Sequence, residues 1–220
     1  MSNLLLPRLA QLDSCAVSDA LDALKMSGVA LELRALTAAK RIVGSAVTVQ
    51  LGPADGRVSA RHLCSAAVES AGAGDIIVVA HNGRTDVAGW GGLLSLGAVT
   101  RGIEGVVVDG ACRDIDEAAD MGLPIYARVV VPVTARGRVV EYAWNVPVSV
   151  AGVAVDVGDL VIADGSGVVF IRRAQAEAVI VMAESIAHRE RRMAADMRRG
   201  QPISRVMGQT YESMATGEGA

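Results

Sequence analysis

Asp75-Ile76-Ile77-Val78-Val79-Ala80, Gly105-Val106-Val107-Val108-Asp109-Gly110 and Ile125-Tyr126-Ala127-Arg128-Val129-Val130-Val131 are three short apolar runs bounded by glycine, proline or asparagine. Runs of this length, rich in β-branched residues, read as strands buried on both faces. Between them lie two stretches with helical spacing. Trp90 to Arg101 is opened by Gly91-Gly92, and Asp114 to Met121 is closed by Gly122-Leu123-Pro124. Residues 75–131 are therefore β-α-β-α-β, and the right-handed crossover rule places their strands in a parallel sheet.

Working outward, Arg41 to Gln50 alternates in polarity and reads as a further strand. Val58 to Ala71 and Leu4 to Met26 carry apolar residues at helical spacing. The latter stops at Gly28, a candidate helix C′ residue, with Ser18-Asp19 placed as an N-cap or first turn. From Arg138 to Arg172 the pattern changes to short strands, with turn signals at Asn145-Val146-Pro147, Val157-Gly158-Asp159 and Asp164-Gly165-Ser166-Gly167. Ala174 to Arg199 is a long helix with an arginine-rich end, and Gln201 onward is polar and expected to be loose. No repeat and no linker divides the chain, so residues 1–200 are expected to form a single domain and 201–220 a polar tail.

Composition narrows the function classes. Of 220 residues, 51% are hydrophobic, which excludes a disordered chain. One Phe, two Trp and three Tyr are too few for base-stacking platforms, and a net charge of -3 supplies no field for phosphate backbones. No nucleic-acid partner is expected. Acidic residues interleave the basic end of the last helix, where cations complement the helix dipole; a solvated face or subunit contact is the expected role. No apolar run is long enough to span a bilayer, and the first residues lack a signal-peptide pattern. Cys15, Cys64 and Cys112 form no CxxC pair and are expected to be buried reduced thiols, consistent with a cytoplasmic setting.

Several motifs fail on context. Gly72-Ala73-Gly74 precedes a strand instead of following one, so it is no dinucleotide fingerprint. The only lysines, Lys25 and Lys40, serve neither a P-loop nor a Schiff base near the glycine pair. His62, His81 and His188 lie far apart and announce no zinc site.

One constellation carries chemistry: Gly91-Gly92-Leu93-Leu94, followed by Arg113-Asp114 and Glu117. Arg113 and Asp114 fall after a parallel strand, where ligands of open α/β sheets collect. Gly91 and Gly92 open a helix whose free N–H groups and dipole favour a carboxylate. Asp109 reads as a structural strand-end acid, and helix capping accounts for Ser18 and Asp19, which could otherwise line the same cleft.

Twenty residues separate Gly92 from Arg113; Asp114, two more residues and Glu117 follow. This resembles the G-x20-R-D-x2-E/D signature of the class II pyruvate aldolases that act on 4-hydroxy-4-methyl-2-oxoglutarate and 4-carboxy-4-hydroxy-2-oxoadipate. That family also contains the ribonuclease E regulators called RraA. Val17 to Asp22, Val43 to Thr48, Gly74 to Val79 and Asp164 to Val169 fall in family order. The resemblance implies an α/β/β/α sandwich similar to the swivelling phosphohistidine domain, with a parallel βαβ core and a β-rich C-terminal part. It also implies assembly as homotrimers or hexamers.

It further implies a metal-dependent lyase releasing pyruvate from a 2-oxo acid, with oxaloacetate decarboxylation as a side activity. The backbone of Gly91, Gly92, Leu93 and Leu94 would hold the pyruvyl carboxylate, and Arg113 the keto or enolate oxygen. Asp114 would hold Mg²⁺ or Mn²⁺, with Glu117 reaching the metal through water and Glu190 reaching a neighbouring subunit's site. Many aldolase relatives carry an acidic or amide residue where this chain has Gly92. The other implied reading is a non-catalytic regulator that binds ribonuclease E through its oligomer surface. Regulators tend to lack the carboxylate supplied here by Glu117, which favours the aldolase.

Overall fold

The computed structural model describes residues 4–37, 40–57, 59 and 61–208. The chain begins with two helices in place of the expected one, α1 (Leu5–Leu9) and α2 (Ser14–Ala23). Asp13 divides them, because its side chain accepts the Ala16 N–H at 2.8 Å and caps α2. Ser18 and Asp19 consequently lie in mid-helix. Lys25, at φ 56°, takes the left-handed position after α2 that was expected of Gly28. Gly28 serves close approach instead. A Cβ there would lie 2.2 Å from the Phe170 carbonyl oxygen, while the Gly28 oxygen accepts the Phe170 N–H at 2.8 Å.

Short strands β1 (Val29–Ala30) and β2 (Arg34–Ala35) lead to the long β3 (Ile42–Pro53). The helix expected over 58–71 is confined to α3 (Ser65–Ser70); Val58 and Ala60 lie outside the described residues. Cys64 interrupts it at φ 64°, with its N–H donated to the Glu141 carboxylate at 2.7 Å. A long-range bond to Glu141 has overridden local propensity here.

Then come β4 (Ile76–Trp90), α4 (Gly92–Thr100), β5 (Gly105–Cys112), α5 (Ile115–Asp120) and β6 (Ile125–Val130), the expected β-α-β-α-β unit. β4 runs past the expected stop at Asn82-Gly83. Both residues adopt positive φ, and the register to β5 shifts through this bulge before pairing resumes as far as Trp90 and Cys112. The β-rich part comprises β7 (Val139–Trp144), β8 (Val148–Val150), β9 (Val153–Val155), β10 (Leu160–Asp164) and β11 (Gly167–Ile171). The long helix α6 (Ala176–Arg198) follows, and α7 (Ile203–Val206) gives structure to part of the tail expected to be loose. Residues 209–220 lie outside the described residues.

β3, β4, β5 and β6 are parallel neighbours, extended antiparallel by β10, β11 and β1 on one side and β2 on the other, with β7 also on β3. Alternation along the strands gives the layers. Ile77 and Val79 face a core shared with α3 to α5, whereas Ile76, Val78 and Ala80 face a second core shared with Val161, Ala163, Val168 and Phe170 of β10 and β11. The opposite faces of β10 and β11, through Leu160, Ile162, Val169 and Ile171, pack on α1, α2 and α6. The sheet folds over itself at β3, so the order is helix, sheet, sheet, helix.

Asp164 ties the outer helices to this sandwich, accepting the Ser14 N–H at 2.8 Å and Ser14 hydroxyl at 2.6 Å. Burial would raise its pKa, but these bonds, the Ser166 N–H and Arg41 hold it below the usual carboxylate range. Cys64 and Cys112 are buried as expected, and burial pushes both thiols up; Cys15 is exposed, on the outward face of α2. Among the described residues, no helix is long and apolar enough to cross a membrane.

Candidate active site

Two chain reversals meet at the C-terminal ends of β4 and β5. At the first, β4 gives way to α4 through Gly91, and at the second β5 gives way to α5 through Arg113 and Asp114. The Arg113 N–H donates to the Trp90 carbonyl at 3.0 Å, and the Trp90 indole N–H donates to the Ser95 hydroxyl at 2.9 Å, which fixes the start of α4. Asp114 precedes α5 in the left-handed conformation, φ 57° and ψ 38°, which aspartate tolerates better than most residues. From there its Oδ2 accepts the Gly92 N–H at 2.9 Å and lies 3.1 Å from Arg113 Nε.

These groups line a cleft of about 860 Å³, together with Glu117 one turn into α5. Both glycines leave room for acidic side-chain ends. A Cβ on Gly91 would lie 2.9 Å from Asp114 Oδ2, and a Cβ on Gly92 would lie 2.0 Å from Glu117 Oε2. Gly92 thus accommodates Glu117, and a side chain at position 92 excludes the present Glu117 rotamer.

Gly91, Gly92, Leu93, Leu94, Arg113, Asp114 and Glu117 all line this one cleft. The anion cradle differs in one respect from expectation, because the Gly92 N–H is already committed to Asp114. Leu93 and Leu94, in the first turn of α4, have N–H groups with no intrahelical acceptor, and they carry the free donors. Asp109 is structural: buried, it receives Arg128 Nε at 2.6 Å and the Ala151 N–H at 2.8 Å.

Glu190 lies elsewhere, on α6 against α2. Burial and the neighbouring Asp19 and Asp13 raise its carboxyl above the usual range; burial, Asp22 and Asp13 do the same to Asp19. Neither Ser18 nor Asp19 lines the cleft of its own chain.

Among the described residues no three His, Cys, Asp or Glu side chains converge as a metal cluster. The donor set at the cleft nevertheless suits Mg²⁺ or Mn²⁺. The Gly92 N–H donates to Asp114 Oδ2 at 2.9 Å, and a Cβ on Gly92 would stand 2.0 Å from Glu117 Oε2, so both carboxylates border Gly92. Mg²⁺ takes one or two carboxylates and fills its remaining positions with water or ligand oxygens.

A family model for RraA-like proteins, Aldolase/RraA, matches residues 14–170. The chain belongs to the RraA-like family. One RraA-like relative, provisionally named 4-hydroxy-4-methyl-2-oxoglutarate aldolase, from Halalkalibacterium halodurans, is 34% identical over 168 residues, 76% of each chain. Protein DlpA of Legionella pneumophila is 29% identical over 202 residues, 92% of this chain; the chain spans only 33% of the length of DlpA. Among solved structures, an uncharacterized protein from Pseudomonas syringae superposes with a TM-score of 0.85 at 29% identity, covering 94% of this chain and 98% of that one. Streptomyces coelicolor RraAS2, described as an unusual member of the RNase ES inhibitor RraA family, gives 0.79 at 25% identity, covering 90% and 98%. These neighbours share the mixed α/β fold with its parallel-strand core.

The RraA-like cleft also contains residues that sequence reading did not select. Arg57, Arg61 and His62 reach it from the segment after β3, and Arg136 from the segment after β6. They sit in irregular segments with no motif, and only the tertiary fold brings them to the Gly91 wall. The one sequence signal was the clustering of basic residues from Arg57 to His62.

Proposed function

We propose that the chain is a divalent-metal-dependent aldolase that cleaves a 4-hydroxy-2-oxo acid to pyruvate and a second oxo compound. The observation that carries this reading is the junction of Arg113 and Asp114 with the amide-lined start of α4, closed by the Gly92 N–H to Asp114 bond at 2.9 Å. In this reading the Leu93 and Leu94 amides receive the substrate carboxylate at the positive end of the α4 dipole. Arg113 stands beside the 2-oxo oxygen. As the C3–C4 bond breaks, its electron pair moves into the C2–C3 bond, and the oxygen at C2 gains charge that the guanidinium stabilises. The 4-hydroxyl proton leaves as C4 becomes a carbonyl, and C3 gains a proton to give pyruvate; water held by Glu117 carries these protons. Asp114, with Glu117 through water, would hold Mg²⁺ or Mn²⁺, which would supply Lewis-acid polarisation of the 2-oxo acid. Oxaloacetate decarboxylation passes through the same enolate.

The names of relatives support an aldolase, and the fold neighbours include one named as an RNA-processing inhibitor and one from an RNase ES inhibitor family. Glu117 tips the balance toward chemistry, since a docking surface has no need of Arg113, Asp114 and Glu117 on one cleft. Location of Glu190 on α6, away from its own chain's cleft, is consistent with action at a neighbouring subunit in a trimer or hexamer.

Pyruvate release from oxaloacetate and from a panel of 4-hydroxy-2-oxo acids tests the reading, with and without EDTA. Turnover that EDTA abolishes and Mg²⁺ or Mn²⁺ restores is expected. Absent or EDTA-indifferent turnover, with retained binding to ribonuclease E, replaces it with the regulator.

A further inference from the structure

The cleft holds more positive charge than chemistry at Arg113 uses. Arg57, Arg61 and Arg136 all line it, and none has a carboxylate partner among the described ion pairs. Arg113 is compensated by Asp114 at 3.1 Å, which leaves Glu117 as the other acid on the cleft wall. The three arginines are exposed and line one concave surface. The low-dielectric walls focus their field into the cleft, where an anion gains most.

Arg57 is also held in place. Its guanidinium carbon lies 4.7 Å from the centroid of the Tyr142 ring. The Tyr142 hydroxyl donates to the Pro53 carbonyl at 3.0 Å, and the ring rests over Gly52, where a Cβ would come within 2.3 Å of ring Cζ. Gly52 thus makes room for a pinned aromatic platform on which the guanidinium stacks. A stacked fork loses less freedom when it binds a carboxylate or phosphate than a free side chain does. A second cleft of about 610 Å³ runs over Tyr142 and Trp144 and shares Arg57, Ser59 and Arg61 with the first. The two arginines therefore stand where the clefts join, on walls other than the one formed by Gly91 and Asp114.

We infer that Arg57, Arg61 and Arg136 form a second anion subsite, which binds a carboxylate or phosphate on the part of the ligand remote from the 2-oxo acid. This rests on the aldolase reading for the orientation of the ligand, but not for the presence of the subsite. Each arginine offers a planar fork to two anionic oxygens, and such charge-assisted pairs discriminate strongly against a neutral group in the same place.

The test compares kcat/KM for three 4-hydroxy-2-oxo acids that differ only in ending in a carboxylate, a phosphate or a methyl group. The full-length protein is used, as wild type and as Arg57→Met, Arg61→Met and Arg136→Met. The wild type is expected to favour one anionic terminus over methyl by roughly 30-fold or more, and whichever terminus it favours identifies the anion. That ratio should collapse in each variant; Arg136→Met, on a separate segment, guards against a local misfolding of the 57–61 segment. In parallel, calorimetry measures binding of inorganic phosphate and of glutarate to the same proteins. If none of the acids is cleaved but phosphate or glutarate binding is lost with the arginines, the subsite stands and the aldolase reading falls. If the acids are cleaved equally whatever their terminus, or the affinity for phosphate and glutarate is the same in every variant as in the wild type, the subsite is overturned.

Discussion

Carboxylates are gathered in two places in this molecule, and their surroundings are opposite. At the cleft, Asp114 receives an amide N–H and a guanidinium within 3.1 Å, and Glu117 stands over a glycine on a wall rich in arginine. On the helical face where α2 meets α6, burial raises the carboxyls of both Asp19 and Glu190, aided by Asp22 and Asp13 at Asp19 and by Asp19 and Asp13 at Glu190. The first group sits among hydrogen-bond donors and cations. The second sets acids among acids, which the aldolase reading would place at a neighbouring subunit's cleft.

The contrast breaks most sharply at Arg113 and Asp114. Arg113→Ala and Asp114→Ala are each expected to lower the rate of pyruvate release by about 10²–10³-fold, while circular dichroism and oligomer size stay as in the wild type. Near wild-type rates in either variant remove the cleft from the reaction. Gly92→Ala comes next: its methyl carbon would fall 2.0 Å from Glu117 Oε2, so Glu117 must swing away. A displacement of that size costs about 10²-fold in rate. Adding Glu117→Ala should then cost little more, and full additivity of the two losses would show that they do not share a site.

Glu190→Gln sharpens the other side. Its folded-state pKa is raised, so the ionised carboxylate is penalised at neutral pH, and the variant should melt at a higher temperature than the wild type there. That gain should vanish below about pH 4, where the carboxyl is protonated in folded and unfolded chains alike. If the acid reaches a neighbour's cleft, the rate also drops, by roughly 10-fold. A higher melting temperature with an unchanged rate would confine Glu190 to its helix face.

The smallest effect concerns His81, buried beneath Gly89 and Gly110, whose Nε2–H donates to the Val87 carbonyl at 2.8 Å. Burial lowers its pKa, outweighing that bond. Below about pH 6.5 the unfolded chain takes up a proton that the folded chain refuses, so stability falls as the pH falls from there. The urea midpoint should decline over that range by less in His81→Gln, which keeps a donor for Val87 and cannot titrate. An equal decline in both proteins would clear His81.

The β-α-β-α-β unit was legible because strand and helix periods differ and glycines mark each change, as at Gly91 and Gly122. The joining of β3 to the parallel sheet was not, since strand order across long connections leaves no local trace. Asp13 was passed over as a cap because the apolar spacing continues through it. Gly28 looked like a helix stop, yet its reason is the backbone of Phe170, which is distant in sequence. At the site, the wall formed by Gly91 to Leu94 and Arg113 to Glu117 could be read from spacing. Arg57, Arg61 and Arg136 could not, because separate irregular segments supply them and only folding brings them together.

The backbone at Asp114 restricts what mutation can offer there. With φ at 57°, the position admits asparagine with little strain, but asparagine surrenders the charge. Glutamate keeps the charge, at about 1–2 kcal/mol for the left-handed backbone, and projects it one methylene too far to reach the same amide. No single replacement preserves both shape and charge.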